Sequence, residues 1–292
     1  MSGISGAAAK GKTLIFIHGW PDNSSIWRAQ LQALEQDHRC ICLTLPFFER
    51  DPAQAKLRRQ TQSKLSLVSF SFDKLADVLL EKVSEFVSPE DPATLVVHDW
   101  GAYVGFLMLH NRPKLFKSIV AIDVGPPRIG KAERQDIWYF FLLGFLYQYY
   151  LIFAFLIAVL IPGIGARIGD AIAQRKALQL RRKHGVDPGF AGSISALAGF
   201  MYLQMHIQGI GEFLGLKRAL IPDGSPFIPA VPCLFLYGKK KKFQFFSNHW
   251  KKELESKTDS SVLSLEGHHW LTEELPEETT KHIKEWLNKH KA

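Results

Sequence analysis

Apolar and polar residues follow two different periods along the N-terminal part of the chain. Four short runs rich in β-branched and apolar residues, at 13–17, 39–45, 94–97 and 118–123, predict β-strands. Between them, residues 26–35, 72–86 and 102–110 carry apolar side chains three or four positions apart, which predicts amphipathic helices. Strands that alternate with helices in this way predict a parallel sheet built from βαβ units.

The same alternation returns near the C-terminus. Residues 232–237 and 262–265 predict two more strands, and residues 276–290 a last amphipathic helix. Residues 126–229 show no convincing strand pattern and have a strongly apolar first half, which predicts a helical insertion. We therefore expect an α/β fold with a mostly parallel, doubly wound sheet of about six strands. The first edge strands would be missing, because only a dozen residues precede the strand at 13–17. Residues 1–125 and 230–292 would form this core, and residues 126–229 a helical cap.

Composition narrows the class of protein. The 292 residues are 47% hydrophobic and 22% charged, which is typical of a globular chain that can bury a full core. Three cysteines are too few for a disulfide framework, and the N-terminus resembles no secretory signal, so we expect a cytoplasmic location. The net charge of +8 is concentrated at 181–184 and 239–242, without a nucleic-acid-binding pattern. These clusters predict a solvated face or, alternatively, contact with anionic lipid.

The strand at 94–97 leads into the sequence His98-Asp99-Trp100-Gly101, followed by a helical pattern. A sharp strand-to-helix turn with a small residue two places after its tip exposes one side chain to an active-site cleft. Asp99 is therefore the candidate nucleophile. The first strand ends in the loop His18-Gly19-Trp20-Pro21, so the backbone amides of Trp20 and Trp100 could form an oxyanion hole.

These segments, together with Gly267-His268-His269 and the helical cap, resemble the α/β-hydrolase fold superfamily and, within it, its epoxide hydrolase and haloalkane dehalogenase branch. The resemblance covers nearly the whole chain and implies Asp99 as nucleophile and His269, rather than His268, as base. It implies no cofactor and no metal. The chain contains no Gly-x-Ser-x-Gly sequence, which argues against a serine esterase or lipase.

An aspartate nucleophile restricts the chemistry. An unperturbed aspartate, with a pKa of about 3.9, is ionised at neutral pH and needs no base to attack. Attack on an ester would give a reactive anhydride, whereas attack on a saturated carbon gives an ordinary alkyl ester. Epoxides and alkyl halides offer such carbons, and His269 would activate the water that hydrolyses the ester.

The two substrate classes differ in how the leaving group is stabilised. The resemblance implies that cap tyrosines protonate an epoxide oxygen, and we expect Tyr147 or Tyr149 to act with Tyr202. Haloalkane dehalogenases commonly hold the halide with a Trp after the nucleophile, which Trp100 matches, and with an Asn where this chain has Trp20. Trp20 therefore favours an apolar epoxide as substrate, and a carbon–halogen hydrolase is the alternative.

One departure from the family pattern affects the acid that orients the histidine. Relatives usually have Gly-x-x-Asp at the end of the strand that corresponds to 232–237, but this chain has Lys241 at the place of that Asp, in Gly238-Lys239-Lys240-Lys241. Loss of an orienting acid can lower the rate on the order of 10⁴-fold. Asp123, which ends the strand next after Asp99, is the predicted replacement. Without it, the chain would be an inactive, membrane-associated binding protein.

The apolar tract at 137–161 carries no formal charge and is long enough to cross a bilayer. A single crossing would separate Asp99 from the C-terminal histidines, so we expect two shorter cap helices, with breaks suggested by Gly144 and Gln148. These helices would line an apolar cavity or touch a membrane peripherally. Gly163, Gly165 and Gly169 match a dinucleotide fingerprint poorly, because the last spacing is one residue too long.

Overall fold

A computed structural model describes residues 3–5, 11–49, 71–127, 134–161, 163–216, 218–221 and 227–290 of the chain. The strands are β1 Gly3–Ser5, β2 Thr13–Ile17, β3 Arg39–Leu43, β4 Ala93–His98, β5 Phe116–Ile122, β6 Cys233–Gly238 and β7 Ser261–Leu265. The helices are α1 Arg28–Leu34, α2 Phe72–Ser84, α3 Trp100–Asn111, α4 Arg134–Leu160, α5 Gly165–Lys183, α6 Phe200–Phe213, α7 Asn248–Glu255, α8 Leu271–Glu274 and α9 Pro276–Lys289.

The strands form one sheet in the order β1-β3-β2-β4-β5-β6-β7. Strands β2 to β7 run parallel, and this confirms the prediction of a mostly parallel sheet of about six strands. The edge strand β1 pairs antiparallel with β3, so the expectation that no edge strand precedes β2 is wrong. Three residues are too few to show a periodic pattern, so only pairing with β3 reveals this strand.

Both faces of the sheet are covered by helices. In β2, Ile15 and Ile17 belong to one buried apolar cluster, whereas Leu14 and Phe16 belong to another on the opposite face. The first cluster includes side chains of α2 and α3, and the second includes side chains of α9. This two-sided burial explains why the strands are continuous apolar runs rather than alternating ones.

Between β5 and β6, the described residues of 126–229 form helices joined by turns and no strand, as expected for a helical insertion. It contains α4, α5, α6 and two short 3₁₀ helices at Gly189–Ser193 and Ala196–Gly199. The prediction of two short helices around Gly144 and Gln148 is wrong, because α4 is one helix of 27 residues. A single glycine destabilises a helix by only about 1 kcal/mol relative to alanine, so Gly144 need not end the helix.

None of the helices formed by the described residues is both long enough and apolar enough to span a bilayer. Parts of the predicted cap, at residues 128–133, 162, 217 and 222–226, lie outside the described residues.

The topology brings the candidate residues to one edge of the sheet. His98, the last residue of β4, pairs with Ile122, the last residue of β5. Asp99 and Asp123 therefore follow two adjacent parallel strands directly, at the carboxyl edge where α/β proteins bind their ligands.

Candidate active site

The turn between β4 and α3 holds Asp99 in an uncommon backbone conformation. Asp99 has φ 53° and ψ −122°, on the side of the backbone map where non-glycine residues are rare. Gly101 permits this turn, because a Cβ there would lie 2.3 Å from the carbonyl oxygen of Ile17. Gly19 leaves room on the other side, because a Cβ there would lie 2.2 Å from Asp99 Oδ1. The turn therefore exposes the Asp99 carboxylate above the sheet edge.

Two backbone amides reach the Asp99 carboxylate. The Trp20 N–H donates to Oδ1 at 2.8 Å, and the Trp100 N–H also hydrogen-bonds this carboxylate. Burial raises the pKa of Asp99, while His269 and the two amides oppose that rise by favouring the ionised form. The second oxygen, Oδ2, lies on the side of His269.

His269 lies between the two carboxylates. Its Nε2 is 3.7 Å from Asp99 Oδ2, and its Nδ1 donates to Asp123 Oδ2 at 2.5 Å. Burial lowers the pKa of His269, but Asp123 and Asp99 outweigh that effect and raise the pKa above its ordinary value. Asp123, predicted as the replacement acid, is thus within hydrogen-bond reach of the imidazole.

Asp123 also pairs with Lys241, the residue that stands where relatives usually have their acid. The Lys241 ammonium contacts Asp123 Oδ2, the same oxygen that accepts from His269. Its side chain is only 8% exposed, and its Nζ lies 4.1 Å from the ring centroid of Phe245. Burial alone would raise the pKa of Asp123, but Lys241 and His269 lower it below its ordinary value. Asp123 therefore stays ionised beside the ammonium of Lys241 and the imidazole of His269.

Two buried histidines that sequence reasoning did not single out hold the loops of the site. The Leu45 N–H donates to His18 Nε2, so His18 Nδ1 carries the proton and donates to the Gly19 carbonyl. His98 Nε2 donates to the His269 carbonyl at 2.9 Å. Burial lowers the pKa of His18 to about 4 and that of His98 to about 3, so both rings are neutral at physiological pH. The position of each histidine at the end of a buried apolar strand could have indicated these contacts from the sequence.

Two cap tyrosines lie over Asp99. Tyr202 on α6 is 3% exposed, and its ring centroid is 5.1 Å from that of Trp100 and 5.7 Å from that of Tyr147 on α4. The Tyr202 hydroxyl hydrogen-bonds the side chain of Trp100 and that of Tyr147. Burial raises the pKa of Tyr147 to about 12 and raises that of Tyr202 well above its ordinary value, and the charge of Asp99 adds to both shifts. Both hydroxyls are therefore protonated at neutral pH.

Tyr149 does not lie at this site, which corrects the choice left open between Tyr147 and Tyr149. Its side chain is 53% exposed and its ring stacks on that of His206 at 5.1 Å. Residues two apart on a helix point in nearly opposite directions, so Tyr147 faces Tyr202 while Tyr149 faces outwards.

A buried charge cluster joins the cap to the loops of the site. Arg181 on α5 is 1% exposed and pairs with Asp22, and it donates to Glu273 at 2.8 and 2.9 Å. The Trp270 indole N–H donates to Asp22 at 2.8 Å. Asp22 comes two residues after Trp20 and Trp270 directly after His269, so this cluster fixes both loops against α5.

The prediction of a solvated face or lipid contact is therefore wrong for Arg181 and Lys241. Both are buried against carboxylates, while their neighbours Arg182, Lys183, Lys239 and Lys240 are exposed. A run of like charges does not reveal which member turns inwards to meet a buried acid.

The described residues thus bring together the Asp99 carboxylate, two amide donors, an imidazole backed by an acid, and two protonated phenols. Among these described residues, no three His, Cys, Asp or Glu side chains form a group that could hold a metal ion. The arrangement can attack an electrophile, protonate a leaving oxygen and activate water.

A family model described as the alpha/beta hydrolase fold matches residues 12–161. Epoxide hydrolase 2 of Caenorhabditis elegans is 27% identical over 143 residues, which cover 46% of this chain and 36% of that protein. An epoxide hydrolase of Caballeronia sordidicola is 30% identical over 145 residues, which cover 45% of this chain and 39% of that protein. The matched segments thus span less than two fifths of the length of these relatives.

Solved structures of low sequence identity share the fold. A mutant epoxide hydrolase of Bacillus megaterium in complex with its diol product has a TM-score of 0.68 at 20% identity, covering 99% of this chain and 96% of that chain. An epoxide hydrolase of Vigna radiata has a TM-score of 0.58 at 19% identity, covering 99% and 93%. With the family model matching more than half of its residues, the chain belongs to the α/β-hydrolase fold family.

Proposed function

We propose that this protein hydrolyses apolar epoxides to diols through an alkyl ester formed on Asp99. The observation that carries the proposal is the position of Asp99: the Trp20 and Trp100 amides hydrogen-bond its carboxylate, His269 stands 3.7 Å from Oδ2, and the Tyr147–Tyr202 pair lies over the carboxylate. The similarity to epoxide hydrolases supports the same substrate class.

The first step is attack by Asp99 on one carbon of the epoxide ring. Because the Trp20 amide engages Oδ1, Oδ2 is the attacking oxygen and Oδ1 becomes the ester carbonyl oxygen. A bond forms between Oδ2 and carbon, and the ring C–O bond breaks. The ring oxygen takes a proton from the tyrosine pair, which leaves one tyrosinate that Trp100 stabilises through its hydrogen bond to Tyr202.

The second step hydrolyses the ester. His269 Nε2 takes a proton from water, and the resulting hydroxide adds to the carbonyl carbon. The Trp20 and Trp100 amides hold the oxyanion on Oδ1, and Asp123 stabilises the imidazolium. Collapse expels the diol oxygen, which takes the proton from His269. The new carboxyl group of Asp99 returns its proton to the tyrosinate, and the sum is one epoxide and one water converted to one diol.

Lys241 acts in this scheme as a positioning residue rather than a catalytic one. It acts on Asp99 only through its charge, whereas it shares Asp123 Oδ2 with His269. The positive charge of Lys241 opposes protonation of His269, since like charges repel across a buried carboxylate. Asp123 thus supplies the acid that relatives carry at position 241, and Lys241 offsets its effect on the base.

A carbon–halogen hydrolase is the second candidate, since it would use the same nucleophile and base. Such an enzyme needs N–H donors at the leaving halide. The Trp100 side chain is already hydrogen-bonded to Tyr202, while the buried Trp20 indole N–H has no partner among the described residues. One free indole N–H, beside two phenols that can protonate oxygen, favours the epoxide.

The ester can be trapped to test the proposal. In His269→Gln, Asp99 should still be alkylated but the ester should persist, so intact-protein mass spectrometry after addition of a styrene-oxide-type epoxide should show one added substrate mass on the peptide containing Asp99. Asp99→Asn is the matched control and should show none. The same assay with a 1-haloalkane separates the two candidates. No adduct and no turnover with either class would support an inactive binding protein instead.

A further inference from the structure

The turn between α4 and α5 carries an exposed apolar ridge on the cap. The ridge consists of Phe153, Leu160, Ile161, Ile164 and Ile168, whose side chains are between 40% and 65% exposed. Turns at a protein surface are usually polar. Here the sequence across the turn is Ile161-Pro162-Gly163-Ile164. Single exposed apolar residues are ordinary, but a contiguous group of this kind marks an interaction surface.

Close packing of the two helices makes the ridge continuous. A Cβ on Gly165 would lie 2.3 Å from the Ile157 carbonyl oxygen, and one on Gly169 would lie 2.5 Å from the Ala154 carbonyl oxygen. The residue numbers rise on one helix as they fall on the other, so α4 and α5 are antiparallel and in close contact. The apolar side chains that end α4 therefore lie beside those that begin α5.

Basic residues accompany the ridge. The charged side chains of α5 that reach solvent are Arg167, Arg175, Lys176, Arg182 and Lys183. The acidic residue of the helix, Asp170, is 7% exposed and accepts hydrogen bonds from Ser195 and Ala196. Residues 147–160 of α4 and residues 161–164 of the turn carry no charge. Lys176 Nζ lies 6.0 Å from the Tyr150 ring centroid, which places this charge next to α4.

We propose that this ridge docks the protein on an anionic membrane surface. The apolar side chains would enter the headgroup region, and the basic residues of α5 would contact anionic headgroups, as in amphipathic helices that lie in the membrane interface. A second copy of the chain is a poorer partner, since a two-fold contact through the ridge would bring the like charges of two α5 helices together. The proposal does not depend on the reaction at Asp99.

Sedimentation of the full chain with vesicles tests this docking. The probes are phosphatidylcholine vesicles with and without 30 mol% phosphatidylserine, at low and high salt. Ile164→Ser/Ile168→Ser should lower the partition coefficient at least tenfold, since each loses most of a buried aliphatic side chain. Arg175→Gln/Lys176→Gln should lower it about fivefold per charge. Matched controls away from the cap are Val78→Ser, an apolar residue that is 48% exposed on α2, and Lys281→Gln/Lys284→Gln on α9.

The proposal requires that the unchanged protein sediments with the anionic vesicles, that salt weakens binding, and that only the ridge and α5 variants lose it. It is overturned if the unchanged protein stays in the supernatant with both vesicles, or if the control variants lose binding equally. It is also overturned if analytical ultracentrifugation shows a dimer that Ile164→Ser/Ile168→Ser converts to a monomer, because the ridge is then an interface between copies.

Discussion

Replacing Lys241 should change the pH dependence of the reaction more than its maximal rate. Lys241→Met keeps the length of the side chain and its contact with Phe245 but removes the charge that contacts Asp123. In the alkyl-enzyme, Asp99 is an uncharged ester, so Asp123 and Lys241 are the charges closest to His269. His98, which faces His269 with ring centroids 4.6 Å apart, is kept neutral by burial, which lowers its pKa to about 3. Asp22 and His184 also interact electrostatically with His269, but from a greater distance.

The size of the effect follows from the shared oxygen. His269 Nδ1 and Lys241 Nζ both contact Asp123 Oδ2, so they lie no more than about 5 Å apart. At an effective dielectric constant of about 20, two like charges at that separation repel by about 3 kcal/mol, which equals about two pH units. Relaxation around the lost charge reduces this upper limit, and we expect a shift of about one unit.

The sign of the shift is upward. His269 must be neutral to take a proton from water, so kcat rises with pH through the titration of His269 in the alkyl-enzyme. Without Lys241, His269 holds its proton to higher pH, and the acid limb of the kcat profile moves to higher pH. At a pH on that limb kcat should fall about tenfold, while the rate on the alkaline plateau stays within about twofold.

The assay is a full pH profile of kcat under saturating epoxide, with Lys240→Met as the exposed neighbour control and Lys241→Arg as the conservative variant that restores the charge. A titration of His269 by nitrogen-15 NMR gives the same shift without turnover. An acid limb that moves to lower pH, or a uniform loss at every pH with an unshifted His269 titration, would refute the role of Lys241.

Three further predictions concern the acids and phenols of the site. Tyr147→Phe/Tyr202→Phe should lower kcat/KM for epoxides by at least about 10²-fold, while the exposed Tyr149→Phe leaves steady-state kinetics unchanged. Asp123→Asn should lower kcat on the order of 10⁴-fold yet preserve a burst of alkylation in rapid-quench experiments, because Asp123 acts through His269. Burial raises the pKa of Glu273 from 4.5 to about 7, so its contribution to stability is full below pH 4.5 and is lost as pH rises through 7. Because glutamine does not titrate, the free energy of unfolding of Glu273→Gln, measured with denaturant, should not show this decrease of about 3 kcal/mol. Parallel plots of unfolding free energy against pH for the two proteins would contradict the raised pKa of Glu273.

The positions of Asp99 and Asp123 could be predicted because each directly follows a recognisable apolar strand. Parallel strands end at the same edge of a sheet, so the pattern alone brings two carboxylates together. His269 required the resemblance to a family, since a histidine in a loop has no periodic signal.

Other features of the site depend on the rotation of a helix about its axis or on contacts between residues distant in the sequence. The pattern of apolar and polar residues does not specify either. Whether Tyr147 or Tyr149 faces Asp99 is decided by the rotation of α4, which is set by packing against α6. Lys241 marked the absence of the usual acid, yet its own contact with Asp123 depends on how the loop after β6 folds back. Arg181 lies in the run 181–184 of three basic residues and one histidine. Only its contacts with the buried Asp22 and the partly buried Glu273 distinguish it from its neighbours.

The covalent role of Asp99 is tested most directly by one turnover in ¹⁸O-labelled water with enzyme in excess over epoxide. We expect the label to appear in the Asp99 side chain and the diol to carry an unlabelled oxygen from the enzyme, because hydroxide adds to the ester carbonyl. Label found in the diol, with an unlabelled Asp99, would mean direct attack by water on the epoxide and would exclude an alkyl ester on Asp99.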